Sequence, residues 1–308
     1  MSLNPFSLPG LEQQMQLLCP WRQPAHREYY VAVDSTEQAY LDFIDAMGNL
    51  STLLDHGRLA LVTGDSGCGK SALVHRCADW VVRELAKQEL KGVVINLSRT
   101  LNGRPQESVE RRLSAVCTAL FIELKLKAAL KCDAIEDLQP YNDQPEWFYP
   151  HLPSAMNDGQ VLIILLPDAG ELADEVKRYA SLTRNKVLFL VESALLNEHD
   201  ANRIVTEDKG WAPPITLRVG ALRPGDVHLF ASNRLKRHSK EGIYPRMSEA
   251  TLDSVAKLCK SVAQLQKALF ETYEARRRSD LQHEEHCWVT EDEIRQQILS
   301  WLRRGGRS

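Results

Sequence analysis

One short segment of the chain combines three glycines, a lysine and a serine at the spacing of a phosphate-binding loop. Residues 64–71 match the pattern G-x-x-x-x-G-K-[ST]. In this pattern the glycines let several backbone N–H groups point at one phosphate, the lysine reaches the β- and γ-phosphates, and the serine hydroxyl binds Mg²⁺. The predicted nucleotide-binding residues are Gly64, Asp65, Ser66, Gly67, Cys68, Gly69, Lys70, Ser71 and Ala72, and Ser71 is also a predicted magnesium ligand.

The residues on either side of this loop have the pattern that such a loop needs. Residues 59–63 before it are an apolar run of strand length, and residues 72–82 after it begin a helical stretch. A helix that starts near Gly69 would add its positive dipole end to the phosphate site. The strand–loop–helix order therefore predicts a P-loop rather than a chance glycine-rich turn. We interpret Cys68, inside the loop, as a small filling residue rather than a redox-active thiol.

A second candidate is the aspartate that follows the most apolar segment of the chain. Residues 161–166 are continuously apolar and are followed by Pro167 and Asp168. Such a run is typical of a strand that is buried on both faces of a parallel sheet. In P-loop ATPases an aspartate at this place orients Mg²⁺. Asp168 is therefore a predicted metal and catalytic residue.

Strands and helices alternate through most of the chain. Strands are predicted at 59–63, 92–97, 161–166, 186–191 and 215–219. Their alternation with helices predicts an α/β fold of the P-loop NTPase type, in which a parallel sheet of these five strands is flanked by helices. After Pro224 and Gly225 the predicted elements are all helices, at 227–235, 248–258, 262–276 and 291–302.

These elements predict three regions. Residues 1–28 form an N-terminal arm, residues 29–224 form the P-loop ATPase core, and residues 225–308 form an α-helical lid with a C-terminal helix. Within the core, residues 127–158 are rich in proline and are predicted to be a loop-rich insertion. Residues 28–33 are predicted to be a short extended segment before the first helix.

Composition is that of an ordinary globular protein. The chain has 308 residues, of which 44% are hydrophobic and 26% charged, with a net charge of −3. These values argue against disorder and give no overall electrostatic case for nucleic-acid binding. The seven cysteines are scattered without a C-x-x-C pattern, as in proteins with reduced thiols. No signal peptide or membrane-spanning run is visible, so we expect a cytoplasmic protein that does not contact a membrane.

Together these features resemble the AAA+ ATPases and the related signal-transducing STAND ATPases, both of the ASCE class of P-loop proteins. The resemblance covers residues 30–275 and includes the P-loop, the strand before Asp168 and the helical region after Pro224. It implies ATP and Mg²⁺ as cofactors, ATP hydrolysis and assembly into a homo-oligomer. It also implies that Val31 lies at the nucleotide and that Lys260 takes the place of the lid arginine. The polar residue that senses the γ-phosphate would be Ser193 or Glu192.

The chain departs from the AAA+ pattern at two residues that support hydrolysis. In that family a glutamate directly follows the aspartate and activates water, whereas here Ala169 follows Asp168. Glu171 is the remaining candidate, with a placement similar to that in some signalling ATPases. The lid segment 260–265 contains no arginine. These departures predict slow hydrolysis, as in a switch.

Three functions remain compatible with the sequence. The first is a switch that binds ATP or ADP, oligomerises and controls an effector protein encoded elsewhere. The resemblance makes bacterial defence signalling one expectation for such a switch. The second is a DNA-associated regulator similar to origin-recognition or transposition ATPases, in which basic residues at 276–278 and 303–307 would contact DNA. The third is a small-molecule kinase, which the long helical region after the fifth strand disfavours.

Overall fold

The computed structural model describes residues 4–9, 17–100, 107–169, 173–196, 200, 203–204, 212–237, 244–279 and 288–305. The chain divides into two compact units. The first unit comprises Met1–Glu37, Asp65–Ala72 and Val219–Ser308, and the second comprises Gln38–Gly64 and Leu73–Arg218.

The second unit is built on a parallel sheet of five strands. The strands are β1 (Arg58–Thr63), β2 (Lys91–Asn96), β3 (Gln160–Leu165), β4 (Val187–Ser193) and β5 (Ile215–Arg218). They lie in the order β2-β3-β4-β1-β5, and every neighbouring pair is parallel. All positions of β3 are buried, as expected for a strand covered on both faces. The predicted α/β fold with a five-stranded parallel sheet is confirmed.

Helices join the strands, because parallel neighbours need crossover connections. Tyr149 and Phe189 illustrate how a helix covers the sheet, since their rings meet edge to face with centroids 5.3 Å apart. Within the described part of the chain, no helix is both long and apolar enough to cross a membrane. The α-helices up to β5 whose bounds the structure describes are α1 (Thr36–Met47), α2 (Ser51–His56), α3 (Lys70–Lys87), α4 (Val109–Leu126), α5 (Cys132–Leu138), α6 (Pro145–Ala155) and α7 (Ala173–Ser181).

Residues 127–158 differ from the prediction of a loop-rich insertion, because α5 and α6 occupy most of this segment. Pro145 is at the start of α6, where a helix needs no N–H donor. Pro150 and Pro153 lie inside the helix, where each removes a hydrogen bond. Phe148 in the same helix is fully buried in the hydrophobic core. Burial of the apolar face of α6 therefore offsets the helix-breaking tendency of its prolines.

The first unit contains the helices that end the chain. These are α8 (Asp226–Arg237), α9 (Glu249–Leu258), α10 (Val262–Arg278) and α11 (Glu291–Gly305), with a short parallel pair of β6 (Arg246–Met247) and β7 (Trp288–Val289). The predicted helical C-terminal region is thus present.

The N-terminal arm belongs to this helical unit, whereas the sequence predicted a region of its own. Phe6 is fully buried, and its ring lies 5.0 Å from the ring of Tyr273. The Asn4 side-chain amide donates to the Phe270 carbonyl at 2.9 Å, and the Gln266 side chain donates to the Phe6 carbonyl at 2.6 Å. A single buried ring in an irregular segment has no periodicity, so sequence patterns do not detect it.

The predicted extended segment 28–33 starts instead within a 3-10 helix, Pro24–Tyr29. Proline favours this first turn, since its φ angle is already helical. The backbone becomes extended only at Tyr30, with φ −72° and ψ 134°.

Candidate functional site

The P-loop residues 64–71 join β1 to α3, in the strand–loop–helix order that the sequence predicts. Gly67 and Gly69 have φ angles of 81° and 83°, in the left-handed region that favours glycine. A β-carbon on Gly67 would also lie only 2.7 Å from the hydroxyl oxygen of Ser261. Position 67 therefore requires glycine both for its backbone conformation and for the close approach of Ser261.

Lys70 and Ser71 begin α3, an 18-residue helix whose positive dipole end faces the loop. Lys70 is 7% exposed, and its ammonium group donates to the Asp65 carbonyl oxygen at 2.9 Å. Ser71 is half-buried, whereas Asp65 and Ser66 are exposed. A phosphate at this helix start would be stabilised by backbone N–H groups and by the lysine charge.

Three further predicted residues have identified neighbours in the first unit. Cys68 is 2% exposed, and burial raises the pKa of its thiol, which suits a filling residue better than a reactive one. The Ala72 carbonyl accepts a hydrogen bond from the Tyr30 hydroxyl at 2.9 Å, which links the segment before α1 to the start of α3. Val31 is half-buried against the core of the helical unit.

Asp34, which sequence analysis missed, lies against the same loop. Its side chain is 1% exposed, and its Oδ2 lies 3.3 Å from the position that a β-carbon on Gly69 would take. Burial raises the pKa of Asp34 to about 7, an effect that Thr36 opposes and Asp226 reinforces. The one signal in the sequence is an aspartate just before a helix, which ordinarily indicates a helix cap.

The start of α10 contacts the P-loop within the first unit. Ser261 caps this helix by accepting the Gln264 N–H at 3.4 Å, and the Ala263 N–H donates to the Gly67 carbonyl oxygen at 3.1 Å. Lys260, the predicted γ-phosphate contact, is exposed and directly precedes the cap. The structure therefore brings the Lys260 segment beside the P-loop.

In the second unit, Asp168 follows β3 and Ser193 is the last residue of the neighbouring strand β4. Both residues lie at the carboxyl ends of the parallel strands. Asp168 is exposed, and the N–H of Ala169 donates to the Glu192 carbonyl oxygen at 3.2 Å. Ser193 is fully buried and pairs in register with Thr63, the last residue of β1. Ligands of open parallel sheets bind at the carboxyl ends of the strands, and both residues lie at these ends.

The Ser193 hydroxyl also has a structural role. Its oxygen accepts the N–H groups of Leu195 and Leu196 at 3.2 and 3.1 Å, and so closes the turn after β4. Its predicted contact with a γ-phosphate stays a prediction.

A buried ion pair holds the segment that carries Asp168. Arg112 of α4 and Glu175 of α7 are 5% and 1% exposed, and the arginine Nε lies 2.7 Å from a carboxylate oxygen. Another guanidinium nitrogen of Arg112 donates to the Asp168 carbonyl oxygen at 2.9 Å. Burial raises the pKa of Glu175, and Arg112 opposes that rise. Arg112 is therefore a positioning residue for Asp168, which no local sequence pattern reveals.

The oxygen atoms at Ser71 and Asp168 are of the type that Mg²⁺ prefers. Across the described residues, no group of three or more His, Cys, Asp or Glu could hold a metal ion. Ser71 and Asp168 thus each offer an oxygen that suits Mg²⁺, which takes further ligands from the phosphates of a nucleotide; that both bind one ion stays a prediction. Glu171, the other predicted catalytic residue, lies outside the described residues.

Comparison with solved structures identifies the fold. The chain is similar to the Aeropyrum pernix ORC2 protein in its ADPNP–ADP complexes, with 13% identity and a TM-score of 0.54, over 86% of this chain and 66% of that one. It is also similar to the Aeropyrum pernix ORC1 protein in complex with DNA, with 14% identity and a TM-score of 0.55, over 95% and 72% of the two chains. A third similar chain comes from the HORMA–CdnC–Trip13 complex of E. coli MS115-1, with 13% identity and a TM-score of 0.51, over 90% and 91%.

These similarities show that the chain has the AAA+ fold of P-loop ATPases. The chain spans just under two thirds of the ORC2 protein that it matches, at 66% of that length. No protein-family model and no curated protein matches the chain.

Replacing Arg112 by methionine should destabilise the protein by about 3–5 kcal/mol, because Glu175 would stay buried without its cation. The double variant Arg112→Met with Glu175→Leu should recover most of this loss, since no interior charge remains. Denaturant unfolding of parent and variants measures both effects. Arg178→Met is the matched control, because its pair with Glu146 is exposed and should contribute under about 1 kcal/mol. Equal losses in the two single variants would contradict the role given to the buried pair.

Proposed function

We propose that this chain binds ATP with Mg²⁺ at the P-loop and acts as a nucleotide-dependent molecular switch. The observation that carries the proposal is the loop at 64–71, which lies between a buried strand and the N-terminus of α3 and has left-handed glycines at 67 and 69. The order of the sheet supports it, because β4 lies between β1, which leads into the P-loop, and β3, which leads to Asp168.

Each group at the site has a defined task in this proposal. The loop N–H groups and the helix start hold the β- and γ-phosphates, and Lys70 neutralises their charge. Ser71 and Asp168 would hold Mg²⁺, which when bound stabilises negative charge on the phosphate oxygens. Arg112 keeps the Asp168 segment in place through the backbone carbonyl. The protein thus contributes position and charge rather than covalent chemistry.

Hydrolysis by the isolated chain should be slow. Ala169, 2% exposed, occupies the place directly after Asp168, where AAA+ ATPases carry a glutamate. The segment 260–265 offers a lysine but no arginine. Removing such charge stabilisation slows phosphoryl transfer by roughly 10³-fold or more. Glu171 is the residue that we propose as the remaining base.

A switch also needs a route by which phosphate binding reaches other parts of the molecule. In the first unit the Gly67 carbonyl is bonded to the Ala263 N–H, and Ser261 lies against Gly67. Leu265 and Tyr273 of the same helix belong to the core of the helical unit. A change in the shape of the loop would therefore be transmitted to α10. The γ-phosphate shifts this equilibrium only if it makes contacts in one state that are missing in the other.

We propose that the output is self-association or control of a partner protein in the cytoplasm. The DNA alternative depends on the basic residues at 276–278 and 303–307, and the side chains of the second group lie outside the described residues. The arginines of the first group are already ion-paired: Arg276 with Glu293 at 2.8 Å, and Arg277 and Arg278 with Glu274 at 2.5 and 3.1 Å. Paired arginines are less available to a phosphate backbone. The similar ORC1 protein was solved in complex with DNA, and that complex describes ORC1 and not this chain.

Lys70→Ala should weaken ATP binding by roughly 10- to 100-fold or more, because the phosphates lose a charge-assisted bond. Titration calorimetry with Mg²⁺ and ATP measures the affinity. Lys87→Ala is the matched control, since Lys87 lies at the other end of α3 and is exposed and paired with Glu84. Parent-like ATP affinity in Lys70→Ala would remove the P-loop as the binding site.

The purified chain should hydrolyse ATP well below the ordinary enzyme median of about 10 s⁻¹. The reason is the alanine after Asp168 and the lid segment without arginine. Steady-state phosphate release, corrected for the rate of Lys70→Ala, measures the turnover. A rate at or above that median in the absence of a partner would contradict the proposed slow switch.

A non-hydrolysable ATP analogue should change the mass or radius of the protein, whereas ADP should not. Lys260→Ala should reduce this change more than it weakens ADP binding, because only ATP carries the third phosphate. Light scattering and small-angle scattering with each nucleotide measure the change. Lys257→Ala, an exposed position near the end of α9, is the control. Indistinguishable mass and radius in the two nucleotide states would leave the switch without a physical basis.

A further inference from the structure

The second unit contains a cavity of about 720 Å³ that none of the proposed nucleotide-binding residues lines. It lies between the first half of α4, the start of α6 and the last turn of α7, which contributes Arg178. Its volume is within the range of ligand pockets, about 300–1,000 Å³. The lining residues therefore indicate what kind of group the cavity could bind.

The charged groups that line this cavity are mostly acidic. Four carboxylate residues and two arginines line it, so that its net charge is −2. One of the two arginines, Arg178, is already paired with Glu146. Glu110 and Asp143 are exposed and form no ion pair with any described residue. The cavity therefore has negative charge available for a cationic partner.

An exposed aromatic ring lies among these charges. Trp147 lines the cavity and is 57% exposed. Tyr141 stacks on its ring with the two centroids 6.1 Å apart, and Tyr141 stacks in turn on His151. These contacts hold the orientation of the Trp147 ring and leave much of it uncovered. A held indole ring beside carboxylates suits a guanidinium group, which stacks on aromatic faces and forms paired hydrogen bonds with carboxylates.

The chain itself contains a segment with the matching charge. Residues 303–307 read Arg-Arg-Gly-Gly-Arg, with three arginines and no acidic residue. The two glycines between the arginines allow the backbone to adapt to the shape of a partner. The arginines at 276–278, in contrast, are already paired with glutamates. Segment 303–307 is therefore the cationic occupant that this chain can supply to the cavity.

We propose that the cavity binds the arginines of segment 303–307 from a second copy of this chain, through Trp147 and the carboxylates of Glu110 and Asp143. This contact is a surface for self-association that needs no nucleotide, so the inference goes beyond the proposed function and does not depend on it. Because the charges are exposed, the association is weak and decreases as the salt concentration rises.

The test measures self-association of the full chain without nucleotide, by light scattering and sedimentation at low salt. The cavity variant carries Glu110→Lys and Asp143→Lys, and the segment variant carries Arg303→Glu and Arg304→Glu. Each variant alone should self-associate at least about 10-fold more weakly than the parent, because like charges would then meet.

Mixing the two variants distinguishes a contact between copies from one within a chain. The unchanged arginines of the cavity variant can bind the unchanged cavity of the segment variant, and the reversed groups are complementary as well. The mixture should therefore associate at least about 10-fold more tightly than either variant alone. A mixture that associates no more tightly than its components would overturn the proposal.

The matched control for the change in charge is Glu136→Lys with Asp137→Lys, an exposed pair on α5 that does not line the cavity. It should self-associate as the parent does. Trp147→Ala should weaken the association by about 3-fold or more, whereas Trp147→Phe should keep most of it, since the ring face remains. Thermal unfolding shows which variants fold, and Trp147→Ala replaces the cavity variant if that variant does not.

A labelled peptide of residues 299–308 gives a second measurement on the full chain. It should bind the segment variant, whose own arginines are reversed, and should bind the cavity variant at least about 10-fold more weakly. Equal binding to the two variants would contradict the site. A parent that does not self-associate would also overturn the proposal.

Two further outcomes separate this inference from the functions considered above. Lys70→Ala should self-associate as the parent does, so a failed P-loop assignment would leave this result unchanged. If the segment variant loses salt-dependent binding of duplex DNA but keeps the parent's self-association, the arginines contact DNA and the proposal is wrong.

Discussion

Other chain segments approach the P-loop closely at Gly67 and Gly69, and the candidate site depends on this constraint. At Gly67 the Ser261 hydroxyl lies where a β-carbon would clash. At Gly69 a β-carbon would lie 3.3 Å from the Asp34 carboxylate, closer than ordinary van der Waals contact. A side chain at position 67 would have to displace the Ser261 hydroxyl, which caps α10. The phosphate-binding turn, the cap of α10 and the turn before α1 are therefore built against one another within the first unit. A ligand that alters the loop would act on both neighbours.

The second unit contributes a different constraint, which is the order of its parallel strands. Since β4 pairs with both β1 and β3, the ends of these three strands meet at one edge of the sheet. Thr63, Ser193 and the segment that leads to Asp168 are consequently neighbours, although they are far apart in the chain. The Arg112–Glu175 pair then fixes the backbone of that segment, because Arg112 donates to the Asp168 carbonyl oxygen.

Two buried carboxyl groups differ in the neighbour that opposes the effect of burial on the pKa. Burial raises the pKa of both Glu175 and Asp34. Glu175 has the guanidinium of Arg112 at 2.7 Å, and so its charge contributes to the geometry of the Asp168 segment. For Asp34 the opposing group is the uncharged Thr36, and the pKa of this carboxyl group is raised to about 7.

The sequence by itself determined the P-loop, the five parallel strands and the helical C-terminal region, because these depend on local spacing and periodicity. Only the tertiary structure decided that the prolines of 127–158 lie in or beside helices and that Phe6 is part of the helical core. Only the tertiary structure also brought Asp34 close to Gly69 and bonded Arg112 to the Asp168 carbonyl oxygen. In each of these cases the deciding energy comes from burial or from a bond between residues distant in the chain, and such contacts have no local pattern.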